Sequence, residues 1–299
     1  MNFTTILFLC LIGLCWGSFL NVVITRTLSG ESIIYPPSKC PKCEHRLFWW
    51  HNIPLVSFFI LGGKCYFCNK TISIRYPLIE IAGMIITLFA FIKNISVFDA
   101  ISVILILSMY LVLSYTDIKE QKINVKQAFV VALGGIIYSR YDIFGSIVGG
   151  LAGSLLILSF IMLGEKLFNK RTFGFGDIWL TGALGAVVGI ERLPLYLLYV
   201  VLIQFLLVLP KYVKNLIKSE QLETLKYLIL FCIACLFLYV LRNVSFYGSK
   251  IILTAVLGVV VFMAYKSAKN ILNTIQLQET PSYCPLAPAI AVSCLMFLC

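Results

Sequence analysis

The sequence predicts an all-α polytopic membrane protein whose first helix is followed by a small hydrophilic loop domain. Three observations carry that prediction. Of 299 residues, 60% are hydrophobic and only 12% charged, with a mean hydropathy of +0.96, whereas a soluble chain of this size carries about a quarter charged residues. The apolar residues gather in successive runs that suit bilayer helices. The long hydrophilic stretch, residues 24–76, lies between the first run and the second. The same composition excludes a disordered chain, a small disulfide-stapled secreted scaffold and a coiled coil. Each of those needs more charge, less apolar mass or fewer residues.

A span needs about 20 apolar residues, slightly fewer where flanking side chains snorkel. The first run, Phe3 to Val23, meets this. A secretory signal opens with basic residues, and the first basic residue here is Arg26, beyond the run. The segment therefore reads as an uncleaved helix with its N-terminus outside. Further spans are predicted at 77–92, 97–115, 125–138, 143–163, 178–190, 194–209, 227–241, 251–265 and 284–299. The expected number is about 8–10 transmembrane helices. The chain divides into a first transmembrane helix at 1–24, a loop domain at 25–76 and a membrane domain at 77–299.

A net charge of +11 would point to nucleic acid in a soluble protein, so its placement decides its meaning. Of 24 Lys and Arg residues, 19 fall in alternate segments, at 24–76, 116–126, 164–177, 210–226 and 266–283. The opposite loops hold only Lys93, Arg140, Arg192, Arg242 and Lys250. Cytoplasmic loops carry the Lys and Arg excess. The basic balance thus records membrane orientation, places the 24–76 loop in the cytoplasm, makes the lipid bilayer the partner and removes the reason to expect nucleic acid.

Four of the eleven cysteines form Cys40-Pro-Lys-Cys43 and Cys65-Tyr-Phe-Cys68 in that loop. Two thiolate hooks on tight turns match the tetrahedral preference of zinc, and a loop of this size is too small to hold itself by hydrophobic burial. Zinc is the favoured ligand, iron its main competitor, and a pair of disulfides is disfavoured in a reducing compartment. Four protein ligands leave no open position, so the role reads as structural. His45 and His51 are alternative ligands, with solvated loop histidines the favoured reading. A third pair, Cys232 and Cys235, lies in an apolar span and is assigned to packing, as are Cys10, Cys15, Cys284, Cys294 and Cys299.

Only 13 acidic residues exist, and ionisable groups at hydrocarbon depth are expensive enough to suggest function. Asp117 ends the third span in Leu113-Ser-Tyr-Thr-Asp117, and Asp177 begins the sixth in Gly174-Phe-Gly-Asp177. The charge sorting brings both to the cytoplasmic boundary. Two carboxylates brought together cannot both ionise, so one keeps a proton. That is the equipment of aspartic proteolysis, in which one carboxylate activates water and the other donates to the carbonyl oxygen. For either aspartate alone the bland reading is a helix end, Asp177 as a cap and Asp117 paired with Lys119 or Lys122. The shared depth and the GxGD spacing favour the catalytic reading for the pair. Glu80, with Arg75 nearby, reads as a structural or substrate-orienting group.

Several segments together resemble the prepilin peptidase family, the GxGD membrane aspartic proteases that are type 4 prepilin leader peptidases and N-methyltransferases. They are Gly17-Ser-Phe-Leu-Asn-Val-Val-Ile-Thr-Arg26, the two CxxC pairs, Asn52-Ile-Pro-Leu-Val-Ser57, Ile74-Arg-Tyr-Pro-Leu-Ile-Glu80, Asp117, Gly174 to Asp177 with Gly182-Ala-Leu-Gly185, and Cys284-Pro-Leu-Ala-Pro-Ala-Ile-Ala291. The resemblance implies a bacterial inner-membrane endopeptidase that removes the basic leader of prepilins or pseudopilins after a glycine on the cytoplasmic face. It also implies N-methylation of the new N-terminus with S-adenosylmethionine, an activity associated with the cysteine loop. By position it makes Asp117 and Asp177 catalytic and Cys40, Cys43, Cys65 and Cys68 the zinc ligands.

The chain departs from the family pattern in three places. After Asp117 it reads Ile-Lys-Glu-Gln-Lys-Ile where the family is rich in Leu, Pro and Asp. Leu286-Ala287 stands where Phe-Gly is common, and residues 227–265 form a candidate inserted helix pair beyond the family's usual eight helices. No glycine-rich nucleotide loop marks a site for the methyl donor. Two other readings remain: a single-activity GxGD intramembrane or preflagellin-type peptidase, which generally lacks the zinc loop, and a zinc-bearing transporter or scaffold, which predicts broken helices and internal repeats.

Overall fold

The computed structural model describes residues 2–35, 37–93, 96–121, 123–168, 174–218 and 286–298. The spans predicted at 227–241 and 251–265 lie outside the described residues, as do Cys232, Cys235, Cys284 and Cys299. The chain forms two units, Met1–Gln204 with Pro285–Cys299, and Phe205–Cys284. The second contributes to the described residues only helix up to Lys218.

Helix α1 is Phe3–Ser29, followed by a 3-10 turn at Trp49–Asn52 and a short α2 at Val56–Ile60. Then come α3 (Arg75–Lys93), α4 (Val97–Glu120), α5 (Val125–Tyr138), α6 (Ile143–Phe168), α7 (Phe175–Val188), α8 (Leu193–Lys218) and α9 (Ala287–Leu298). Each span predicted within the described residues is a helix. The ends differ, because hydropathy stops at the first charged side chains while backbone hydrogen bonding continues past them. α4 therefore runs to Glu120, placing Asp117 inside its last turn rather than at its end. The protein is mostly helical, with no named strand among the described residues. Among the described residues four stretches are long and apolar enough to cross a membrane: α1, α3, α4 and Ile143–Met162 of α6. The other apolar helices are shorter.

The 27 residues of α1 extend about 40 Å at 1.5 Å per residue, more than the roughly 30 Å of bilayer hydrocarbon. Its last turn carries Arg26, and Gly30, at φ 73, closes it by donating its N–H to the Arg26 carbonyl. α1 packs on α3 with the backbones almost touching. A Cβ on Gly17 would lie 2.6 Å from Glu80 Cα, and one on Gly83 would lie 2.6 Å from Gly17 Cα. Glycine is the residue that fits both positions. Such close approach supplies the van der Waals contact that joins helices in lipid, where hydrophobic burial gives no drive.

α4 is the central helix, with Val103, Ile106, Tyr110 and Leu113 buried. It packs on α1, α3, α5 and α9, and α9 also meets α7. α6 and α7 lie backbone to backbone through Gly149 and Gly185, and Ser154 Oγ donates to the Ile178 carbonyl at 3.2 Å. Polar pairs fix the remaining registers. Trp16 donates to Ser108 Oγ at 2.7 Å, and Gln127 Nε2 donates to Thr27 Oγ1 at 2.8 Å. The helices turn large apolar side chains outward, Phe8 and Leu11 on α1 and Leu151 and Leu155 on α6, as a lipid solvent requires.

Candidate active site and cysteine cluster

Asp117 and Asp177 are buried by the register of their helices. Residues at i, i+3 and i+7 share one helix face, and Tyr110, Leu113 and Asp117 are each 1% exposed or less. On α7 the stripe is Asp177, Leu180 and Leu184, at 3% or less. Each apolar stripe therefore carries a carboxyl at one end. The α7 N-terminus is held against the α4–α5 link, where a Cβ on Gly176 would lie 2.7 Å from Ile123 Cβ.

Each carboxyl accepts a backbone N–H at a helix N-terminus. Asp117 Oδ2 accepts the N–H of Ala287, the first residue of α9, at 3.0 Å. Asp177 Oδ2 accepts the Gly174 N–H at 3.0 Å, so the capping role open in the sequence is realised by one oxygen. The other oxygen, Oδ1, is buried with no hydrogen-bond partner among the described residues. A carboxylate oxygen desolvated and left without a donor is costly unless something outside the fold supplies one.

The four cysteines come together in a second place. Their sulfurs lie within 4.8 Å of one another, with Cys43 and Cys65 4.0 Å apart. The two hooks are copies of one turn. The Cys40 N–H donates to His45 O at 3.0 Å, and the Cys65 N–H donates to Lys70 O at 2.9 Å. Isolated bridges pair Lys39 with Arg46 and Lys64 with Thr71. Glu44 (φ 58) and Asn69 (φ 55) take the left-handed conformation at matching positions after the second cysteine. Backbone hydrogen bonds from Cys68 first, with a smaller one from Phe67, bring Cys65 down to about 7. Against the lowering pull of the His45 amide, burial and the sulfurs of Cys40, Cys68 and Cys65 push Cys43 up to about 12. A tetrahedron with metal–sulfur bonds of about 2.3 Å has sulfur–sulfur edges of about 3.8 Å. The cluster is close to that size, and its all-sulfur donor set is compatible with zinc.

His51 differs from its expectation as a solvated loop residue. It is 8% exposed, tilted against Trp50 with ring centroids 3.8 Å apart and packed on Phe48, Tyr66 and Phe67. Nδ1 accepts the Phe48 N–H at 3.2 Å, and burial holds the ring below the usual histidine range. The ring is then the Nε2–H tautomer, and Nε2 has no partner among the described residues. His45 is exposed and stacks on Phe67 at 4.8 Å. Glu80 accepts the Leu55 N–H at 2.8 Å, tying α3 to the start of α2, where Leu55 is held at φ 59. Arg75 turns to Thr25, at 3.0 Å, with its guanidinium 4.7 Å from the Tyr76 ring and 5.1 Å from that of Tyr115.

Between α1, the cysteine loop, the start of α3 and Tyr115 lies a cavity of about 780 Å³. Arg75, Glu80, His51 and Asn21 line it, whereas neither Asp117 nor Asp177 does. Asn21 escaped sequence reasoning, although one amide inside an apolar run was the available signal. The His51 enclosure left no such signal, since it depends on the loop folding back over α1.

Two family models match this chain in order. The bacterial peptidase A24 N-terminal domain matches residues 11–94, which include all four cysteines, and the type IV leader peptidase family matches residues 104–209, which include both aspartates. Among curated proteins, the prepilin leader peptidase/N-methyltransferase of Klebsiella pneumoniae is 33% identical over 202 residues, covering 64% of this chain and 88% of that protein. The Pseudomonas aeruginosa protein of that name is 31% identical over 215 residues, covering 63% and 74%. The Myxococcus xanthus one is 34% identical over 185 residues, covering 60% of this chain but 55% of its own length. No solved structure matches this chain. Because the two models follow one another along the chain and most of the Klebsiella relative is covered, this chain belongs to the type IV leader peptidase family.

Proposed function

We propose that this chain is a prepilin leader peptidase and N-methyltransferase of the bacterial inner membrane. The observation that carries the peptidase half is the buried carboxyl pair with its unsatisfied Asp177 Oδ1. In this reading Asp117 and Asp177 share one proton. The ionised carboxylate takes a proton from water as the water oxygen bonds to the scissile carbonyl carbon, and the protonated one donates to the carbonyl oxygen. Collapse breaks the carbon–nitrogen bond, and a carboxyl delivers the proton to the leaving amine. Substrates are prepilins or pseudopilins, cut after a glycine between their basic leader and their apolar segment.

The four cysteines would hold zinc, whose part is to close the loop, since four protein ligands leave no open position. S-adenosylmethionine would supply a methyl group to the new N-terminal amine, which loses a proton as its N–C bond forms and the donor's C–S bond breaks. The charge sorting supports an outside N-terminus and a cytoplasm-facing site. We read 1–24 as the first span, 25–76 as the zinc domain and 77–299 as the peptidase domain, with 227–265 an added helix pair completing eight to ten spans. Mass spectrometry of a prepilin co-expressed with this chain tests the proposal. The expected product lacks the leader and carries one added methyl group. An intact leader would refute the peptidase, and a cut but unmethylated terminus with the donor present would refute the methyltransferase.

A further inference from the structure

We infer that the cavity between α1 and the cysteine loop is the site of the methyl donor, with Glu80 supplying the counter-charge to its sulfonium and Asn21 and His51 its polar contacts. This deepens, and rests on, the reading of the chain as bifunctional. The cavity's volume, about 780 Å³, falls in the range of about 300–1,000 Å³ usual for small-molecule sites.

Its chemistry is mixed in the way that an adenosyl sulfonium amino acid requires. That ligand carries an aromatic base, a sugar diol, a carboxylate and two cationic centres. The walls offer Tyr76 and Tyr115 as flat faces, with cations (Arg26, Lys39, Lys42, Lys70 and Arg75) and carboxylates (Glu31, Glu44 and Glu80) both present. Glu80 is 8% exposed, accepts a backbone N–H, and forms no ion pair among the described residues. Arg75 points to Thr25 instead and leaves its Nε buried without a partner among the described residues. Of the lining carboxylates Glu80 is the buried one, and a buried carboxylate without an ion pair among the described residues favours a ligand that brings a cation.

Two further groups are built into the cavity and left unsatisfied. Asn21 is 3% exposed and donates Nδ2 to the Tyr76 carbonyl at 3.0 Å, while its Oδ1 has no partner among the described residues. His51 is 8% exposed and accepts the Phe48 N–H at Nδ1, while its Nε2 has no partner among the described residues. One is an acceptor and the other a donor, both on elements that wall the cavity, and a buried polar group without a partner costs stability unless a ligand completes it. The aspartate pair is not among the lining residues, so cleavage and methyl transfer would use separate chambers. They share α4, whose Tyr115 lines the cavity two residues before Asp117.

The test is direct binding to the full zinc-loaded chain in detergent or nanodiscs, by calorimetry with S-adenosylmethionine and with S-adenosylhomocysteine, whose sulfur is neutral. Glu80→Gln keeps an acceptor for Leu55 but removes the charge. It should weaken S-adenosylmethionine at least tenfold and S-adenosylhomocysteine markedly less. Asn21→Leu should weaken both. If the wild-type chain binds neither, the bifunctional reading fails together with this one. If it binds S-adenosylmethionine and Glu80→Gln and Asn21→Leu bind equally well, the cavity assignment alone is overturned. Should the variants not fold, an 8-azidoadenosyl analogue on the wild-type chain decides. Crosslinks in peptides from residues 18–80 or at Tyr115 support the assignment, and crosslinks confined to other helices overturn it.

Discussion

The backbone N–H of Ala287 reaches the Oδ2 of Asp117 at 3.0 Å, across 170 residues of chain. A helix N-terminus presents unpaired amides, so α9 offers this buried carboxyl a donor and fixes its rotamer. α9 also packs on α7, and the chain's last helix thereby holds the two aspartate-bearing helices in register.

Ala287→Pro should therefore impair leader cleavage while α9 persists, because proline fits the first helical position and lacks only the N–H. A hydrogen bond to a charged group contributes about 1.5–3 kcal/mol, so the cleavage rate should fall roughly 10- to 100-fold. Timed prepilin cleavage by the purified variant, with its melting temperature as control, checks this. An unchanged rate would make the contact incidental.

The cysteine loop should lose its metal and its order on acidification. Zinc binds thiolates, so protons compete with it. With Cys65 near 7 and Cys43 near 12, zinc binding at pH 8 finds Cys65 largely ionised and must displace the Cys43 proton. Affinity should rise with pH and weaken as acidification returns protons to the sulfurs. Titrations in buffers of different ionisation enthalpy should show proton release on zinc binding, and Cys65→Ser should lower bound zinc. A pH-independent affinity would contradict the assignment.

Much of this was legible beforehand, for identifiable reasons. The spans follow from hydropathy because each helix carries its own apolar run. The cysteine cluster follows from spacing because two copies of one short turn place four sulfurs, and even the left-handed Glu44 and Asn69 occupy equivalent positions. Asp117 and Asp177 were matched because positive charge sorts to one side of a membrane. The clamp from Ala287 was not legible, since one amide contacting a carboxylate 170 positions away leaves no periodic trace. The burial of His51 and the partner of Glu80 were missed for a related reason. Both depend on how the loop folds over α1, which hydrophobic patterning of α1 alone does not encode.

Gly17→Ala should be more destabilising than a surface change of the same size. The added methyl would meet the Glu80 backbone at 2.6 Å, and backbone cannot rotate aside, so α1 and α3 must separate. Overpacking of this kind costs about 1–3 kcal/mol. The separation would also displace Glu80 from Leu55, so thermal unfolding in detergent should show a lower midpoint and limited proteolysis should cut the 31–74 loop sooner. A midpoint and cleavage pattern equal to wild type would mean that the two backbones are not in contact.

The central claim is that Asp117 and Asp177 act as one proteolytic unit. The direct measurement is the prepilin cleavage rate of purified Asp117→Asn, Asp177→Asn and the double variant, each verified as folded by its melting temperature. Asn preserves size but ends the shared proton, so the account predicts that either single change abolishes detectable cleavage and that the double change adds nothing further. Wild-type cleavage by either single variant would contradict it.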